Sequence, residues 1–403
     1  MHEGEPTTPA DGVRIEGECG VATSSLAVRR VSDLADIRAS VPEWAALHDA
    51  SGSTNPFSGP EWPVLWFERF LGPRDQPWVL QVRDGDELVA VVPLCRRESK
   101  FGPTLLQSLG TASPWIGPFE IPSPVAAPEH ARAAMRAVVE HLVDRGDQWD
   151  WAELHLGSVV PWFEPEWIPG TGATAVLRGV TGTAVLPLGE GADSGAGSRR
   201  NLKESVRRAR NRLTRAYGSD GWSVRRVVDA DEIGAAFDRL ARMHAQRARR
   251  AGKRAHLDVF ADQAIRRYVR DVVVAMATEE RASIYELCVG DRVITAQLVL
   301  ATAVSSYFSV SGMTDDAWEF SPVTYVQWIA VEDATAAAHV EMNLSAGPNQ
   351  TKLRWTREVR SHPEFALVGP RTRSRTLFRA ATAVAAVRAF DEAIRAQHPG
   401  AGR

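Results

Sequence analysis

The sequence predicts an α+β protein made of two similar halves, each a mixed sheet with helices on its faces. Three observations carry that expectation. Hairpin signals recur at DGDELVAVVPL (84–94) and GDRVITAQLVL (290–300), about two hundred positions apart. In each half the hairpin is followed by further strands and a helix. Between the halves lies GEGADSGAGS (189–198), a Gly/Ser/Ala stretch with no packing material, which reads as a linker.

Residues 1–25 are rich in Gly, Pro, Thr and acids and are expected to form a flexible tail. The N-terminal half then runs over 26–188. In GPEWPVLWFERFLG, the residues Trp62, Leu65, Trp66 and Phe70 fall at helical spacing. Two β-rich runs flank Asp84-Gly85-Asp86. A helix is expected over Pro128–Asp144, and WDWAELHLG and TAVLPL alternate like strands. The C-terminal half, 199–370, opens with a basic helix over 199–216. It holds eight basic residues and one acid, Glu204, with Leu202, Val206, Ala209 and Leu213 as its apolar stripe. A second helix, ADEIGAAFDRLARMHAQRAR, leads to the hairpin turning at Gly290-Asp291. The strand VSSYFSVSG, the turn TDDAWEFS, the helix PVTYVQWIAVEDATAAA and the strand HVEMNLS follow. Residues 371–403 are expected to form a helix that packs Leu377, Phe378, Val384, Val387 and Phe390 on the body.

Composition narrows the function. The chain has 403 residues, 47 basic and 50 acidic, with a formal net charge of -3. That balance gives no overall case for nucleic acid. Three widely separated cysteines, Cys19, Cys95 and Cys288, match neither a zinc spacing nor a disulfide scaffold. There is no HExxH, P-loop or GxGxxG motif, so a metal, nucleotide-driven ligation and a Rossmann cofactor are not expected. No run of 18 or more apolar residues exists, and the N-terminus lacks the apolar core of a secretory signal. The expectation is a soluble, cytoplasmic protein without membrane insertion. Only four lysines occur (Lys100, Lys203, Lys253, Lys352) among 47 basic residues, which makes each lysine more informative than any one arginine.

Three stretches then carry a family resemblance: RRNLKESVRRARNRL, SSYFSVSGMTDDAWEFSPVTYVQWIAVEDA and MNLSAGPNQTKLRW. Together they resemble the acetyltransferase domain of the CelD/BioF2-like branch of the GNAT acyltransferases. Through these the chain is distantly similar to the Fem aminoacyl transferases, which carry two GNAT-like halves. NPFSGPEWPVLWFERF and DGDELVAVVPL resemble the N-terminal pattern of the same family, so the likeness spans roughly 27–360. It implies tandem GNAT-like halves and direct transfer of an acyl group to a small-molecule or peptide amine. The donor it implies is a thioester, either acyl-CoA or the phosphopantetheine of an acyl carrier protein.

The chemistry requires a donor to the developing oxyanion, a neutral amine at attack distance and a proton acceptor. By resemblance, Lys352 in NQTKLRW is a candidate oxyanion or phosphate contact, with Asn349 and Arg354 beside it as binding residues. Ser321-Pro322 reads as a helix start with Ser321 as N-cap, whose free N–H groups suit a carrier phosphate. Against this, Val323 stands where a phosphate-cradling glycine is usual, and Asp315, Asp316 and Glu319 are expected to crowd the approach. Arg247 is a candidate anchor for an acidic ligand group, and Gln297 for an amide facing the cleft. Strand alternation puts Tyr307 and Ser309 on one face. Tyr307, Glu319, Glu286, Asp315 and His339 all stay open as the base. Two other readings compete. The basic helix favours a Fem-like transferase using aminoacyl-tRNA. The lack of an evident base favours a non-catalytic assembly protein in polysaccharide or natural-product biosynthesis.

Overall fold

The computed structural model describes residues 26–100, 102–109, 123–155, 164–189, 196–249 and 257–397. The expected tail, 1–25, and most of the expected linker lie outside the described residues. The N-terminal half contains β1 (Leu26–Val31), α1 (Leu34–Ala39), α2 (Val41–Ala50), α3 (Glu61–Phe70), β2 (Gln76–Asp84), β3 (Glu87–Glu98), β4 (Thr104–Ser108), β5 (Val125–Ala126), α4 (Ala131–Asp144), β6 (Trp151–His155) and β7 (Thr174–Pro187). The C-terminal half contains α5 (Ala196–Tyr217), β8 (Trp222–Val227), α6 (Ala230–Arg249), α7 (Gln263–Ala277), β9 (Ala282–Val289), β10 (Arg292–Ala301), β11 (Ser305–Met313), α8 (Pro322–Ala336), β12 (Glu341–Ala346), α9 (Gln350–Leu353), β13 (Val359–Val368) and α10 (Thr372–Gln397). Helix α5 therefore starts inside the stretch whose composition reads as linker.

One sheet runs through both halves in the order β1-β2-β3-β4-β6-β13-β7-β12-β11-β10-β9-β8, with β5 on β3. The order repeats. Three antiparallel steps lead from β1 to β4, and a parallel step leads to β6. Likewise three antiparallel steps lead from β8 to β11, and a parallel step leads to β12. The last strands are exchanged. β13, from the end of the chain, pairs β6 of the first half, while β7 pairs β12 of the second. β13 and β7 then pair with each other at the centre. The fold is GNAT-like, a mixed sheet flanked by helices, and it is organised as a duplication.

Alternation along the strands sends side chains to opposite layers. Val79, Val91 and Cys95 join Ile37, Trp44, Trp62, Phe237, Val269 and Tyr307 in a core shared by α1–α3 with α6 and α7. On the opposite face, α4 covers the first half, and α5 and α8 cover the second. The shared core fixes the halves together: Tyr268 donates from its hydroxyl to the Trp62 carbonyl at 2.9 Å, and Ser305 does so to Thr54 at 3.0 Å. The predicted stripe of α5 is buried at Leu202, Val206, Ala209 and Leu213. On α10 the expectation fails in part. Leu377 and Phe378 pack near Trp151, but Val384 and Val387 are exposed. The Phe390 side chain lies outside the described residues.

Candidate active site

The parallel step in the C-terminal half is short. β11 and β12 pair only at Ser305–Glu341, Ser306–Met342 and Tyr307–Asn343, and then separate. Each strand carries an irregularity where the separation begins. On β11, Phe308 pairs Val299 and Ser311 pairs Gln297, so Ser309 and Val310 together face the single residue Leu298. That extra residue is a β-bulge, which bends and twists its strand. Gln297 supports it from beneath, fully buried, donating its amide to the carbonyls of Leu298 (2.8 Å) and Val310 (3.3 Å). Its amide oxygen accepts from Gln327 at 2.9 Å. On β12 the register against β7 shifts between Asn343 and Ala346. Ser345 there adopts a φ of 69°, and its N–H is caught by the Asn343 side chain at 2.8 Å.

The opening forms a cleft of about 490 Å³. Phe308, Ser309, Ser311 and Met313 line it from β11, and Leu344 and Ser345 from β12. Ser321, Val323, Thr324 and Gln327 come from the start of α8, Asn349, Thr351 and Lys352 from α9, and Arg247 from α6. Trp355 is buried behind it, against Phe308 and Trp328. Beyond the fork the two strands no longer pair with each other, which leaves a gap between them.

Of the residues singled out from sequence, the fold gathers Arg247, Ser309, Ser321, Asn349 and Lys352 around this cleft. Their roles differ in part from those expected. Lys352 donates its ammonium to the carbonyls of Ser345 (3.0 Å) and Ala346 (2.5 Å), holding the tip of β12. Asn349 caps α9, accepting from the N–H groups of Thr351 and Lys352 at 3.0 and 3.1 Å. Ser321 does precede Pro322, but it is left-handed (φ 53°) and its side chain makes no capping bond. The cause is the 3-10 turn Asp315–Phe320, which ends with the Ser321 N–H donating to Trp318. The first turn of α8 thus keeps its N–H groups free of a side-chain cap, with Val323 and Thr324 on the cleft wall. Arg354 is outside the wall and ties α9 to α5 by donating to Ser205 at 2.8 Å.

Tyr307 is not a cleft residue. It is buried on the opposite layer with its ring edge-on to Phe57 at 5.0 Å. Simple alternation would have kept Ser309 beside it, but the bulge changes the phase after Phe308. Glu319 is exposed, and its carbonyl, not its carboxylate, is engaged, by Arg212. Asp316 pairs with Arg292, which holds its carboxyl below the usual range. Glu286 is fully buried between Arg225 and Arg239. His339 shares a 2.7 Å hydrogen bond with Ser306, before the strands part. Among the described residues, then, no carboxylate or imidazole lines the cleft, and its two charged groups, Arg247 and Lys352, are both cations. Sequence reasoning missed Ser311 and Met313, which follow the bulge on β11, and Gln327, which α8 brings to this wall.

Against known proteins, the decisive match covers the residues that build the fork. Residues 200–353 match the family model of the acetyltransferase (GNAT) domain. The matched residues run from α5 to α9 and include the cleft-lining residues from Arg247 to Lys352. Similar solved structures extend the likeness over both halves. FemX superposes with a TM-score of 0.53 at 9% identity, covering 80% of this chain and 95% of its own. A conserved protein of unknown function from Bacteroides thetaiotaomicron gives 0.52 at 12%, covering 85% and 99%. The C-terminal domain of a protein from Agrobacterium fabrum named as a lysylphosphatidylglycerol synthetase gives 0.51 at 12%, covering 87% and 97%. At such identities the likeness is one of fold. No curated protein matches the chain in sequence. No helix among the described residues is long and apolar enough to cross a membrane. Nor do they contain a cluster of three or more His, Cys, Asp or Glu able to hold a metal.

Proposed function

We propose that the protein is an N-acyltransferase that moves an acyl group from a thioester carrier to an amine by direct attack, in the cleft between β11 and β12. The observation that carries this is the parting of the two strands beyond Tyr307 and Asn343, inside a GNAT domain. An extended pantetheine arm, whether of acyl-CoA or of an acyl carrier protein, has amide groups that can pair with the open strand edges. The uncapped first turn of α8, and a wall that holds no carboxylate among the described residues, suit the phosphate at its far end. The acids expected to crowd that approach do not line it.

The residues have distinct tasks. Gln297 and Gln327 support the bulge that opens the fork, while Lys352 fixes the tip of β12. Lys352 thus positions the strand that faces the reacting carbonyl. With no carboxylate or imidazole on the wall among the described residues, the attacking amine enters neutral and its proton leaves to water. Transfer rate then rises with pH toward the amine's own pKa, without a lower limb set by an enzyme carboxylate.

A mass-spectrometric screen of acyl-CoAs and acylated carrier proteins against amines tests the proposal. It predicts an acylated amine with release of a free thiol. Transfer from charged tRNA alone would replace it with the Fem-like reading, which the basic outer face of α5 supports: Arg207 and Arg208 there hold Glu204 down to about 2.

A further inference from the structure

Arg247 stands out among the charged groups of the cleft. It leaves the last turn of α6, the helix on the Tyr307 side of the sheet, and reaches the wall formed by β11. Its guanidinium donates to the Ser311 hydroxyl at 3.2 Å. Among the described residues no carboxylate pairs with it. On the same wall, the Ser309 hydroxyl is buried and has no hydrogen-bond partner among the described residues. Burial alone lowers the affinity of Arg247 for its proton, with no neighbouring charge contributing. By contrast, Arg225 and Arg239 are compensated by Glu286, and Arg360 by Glu341. A half-buried cation with only a hydroxyl for company is left for a ligand to complete.

We propose that Arg247, with the Ser311 hydroxyl beside it, receives the carboxylate of the acceptor, so that the acceptor is an amine of amino-acid type. This rests on the proposed transferase reading and names its substrate class. The direction of approach assigns the carboxylate to the acceptor. The uncapped turn of α8 belongs to the helix packed on the Phe308 side, whereas Arg247 comes from α6 on the other. Donor and acceptor then enter the fork from opposite faces. A forked guanidinium suits a carboxylate in two parallel hydrogen bonds.

The test compares α-amino acids with their decarboxylated amines as acceptors, using one acetyl thioester as donor. For the intact protein, kcat/KM favours the amino acid by on the order of 10- to 100-fold, the value of a charge-assisted contact. In Arg247→Met that ratio collapses, while transfer to the plain amine persists. Arg247→Lys restores part of it. Because the readout is a ratio between protein forms, differences in amine basicity and in folded fraction cancel. A ratio near one in the intact protein, or an equal loss for both acceptors in the variant, overturns the inference. So does Arg247-dependence appearing instead when succinyl and butyryl thioesters are compared as donors. A binding measurement separates this proposal from the transferase reading. Saturation-transfer NMR with N-acetyl amino acids and their primary amides should show carboxylate-selective binding, lost in Arg247→Met. Such binding without any transfer removes the transferase reading alone. Transfer without carboxylate selectivity removes this inference alone, and the absence of both removes both.

Discussion

Replacing Glu286 with Gln separates a structural carboxylate from a catalytic one. Glu286 lies on β9, fully buried, and receives Nε and Nη2 of Arg225 at 2.9 and 2.6 Å on one oxygen. Arg239 contacts both oxygens, at 2.8 and 3.1 Å. Removing one partner of a fully buried ion pair costs about 3–5 kcal/mol. Here Arg225 is 49% and Arg239 31% exposed, so water recovers part of their solvation. The expected loss is therefore about 2–3 kcal/mol. Chemical denaturation reads this as a lower midpoint at unchanged slope. Where the variant remains folded, kcat should change little, because Glu286 is absent from the cleft wall. A fall of roughly a hundredfold or more in kcat, the scale of general base catalysis, with an unchanged midpoint would refute this reasoning.

Three further outcomes are expected. Gly312→Ala places a methyl 2.7 Å from the Leu240 carbonyl, 2.8 Å from the His244 nitrogen and 2.9 Å from Met243. It pushes α6 from β11 at a cost of about 1–3 kcal/mol, and reduced transfer measured on the folded fraction checks that Arg247 moves with the helix. Lys352→Met frees the tip of β12. Hydrogen exchange at 344–347 should speed up and kcat/KM should fall, whereas unchanged exchange would show that the ammonium does not hold the strand. His48 is buried, with Nε2 beside the Asn55 carbonyl at 3.1 Å, and burial lowers its pKa from 6.5. The unfolded chain takes up this proton first. Stability is then full above pH 6.5 and is lost as pH falls from 6.5 toward the lower folded-state value. Urea titrations across pH 7 to 5 should show a shallower loss in His48→Gln.

Much of the duplication was legible in the sequence. The hairpins at Gly85 and Gly290 need a positive φ in their turns, and both have it (58° and 53°). The apolar stripe of α5 marks its buried face directly. The exchange of β7 and β13 was not legible, since strand partners distant in sequence leave no local pattern. Pro363 also disguises β13, because proline is out of place in a central strand. It is tolerated because β6 begins to pair only at Glu364. The cleft was legible as a set of residues but not as a geometry. Alternation placed Tyr307 with Ser309, and a one-residue bulge reassigned them. Ser321-Pro322 marked the helix start, yet the preceding turn put Ser321 in a left-handed conformation that takes its side chain off the cap.

The central claim is that the gap between β11 and β12 holds the acyl carrier. A crystal structure with a ketone analogue of acetyl-pantetheine, in which a methylene replaces the thioester sulfur, tests it directly. The account predicts the arm extended between 308–313 and 344–346, with its phosphate-bearing end at the first turn of α8. An analogue bound elsewhere, with the two strands unoccupied between these segments, would contradict it.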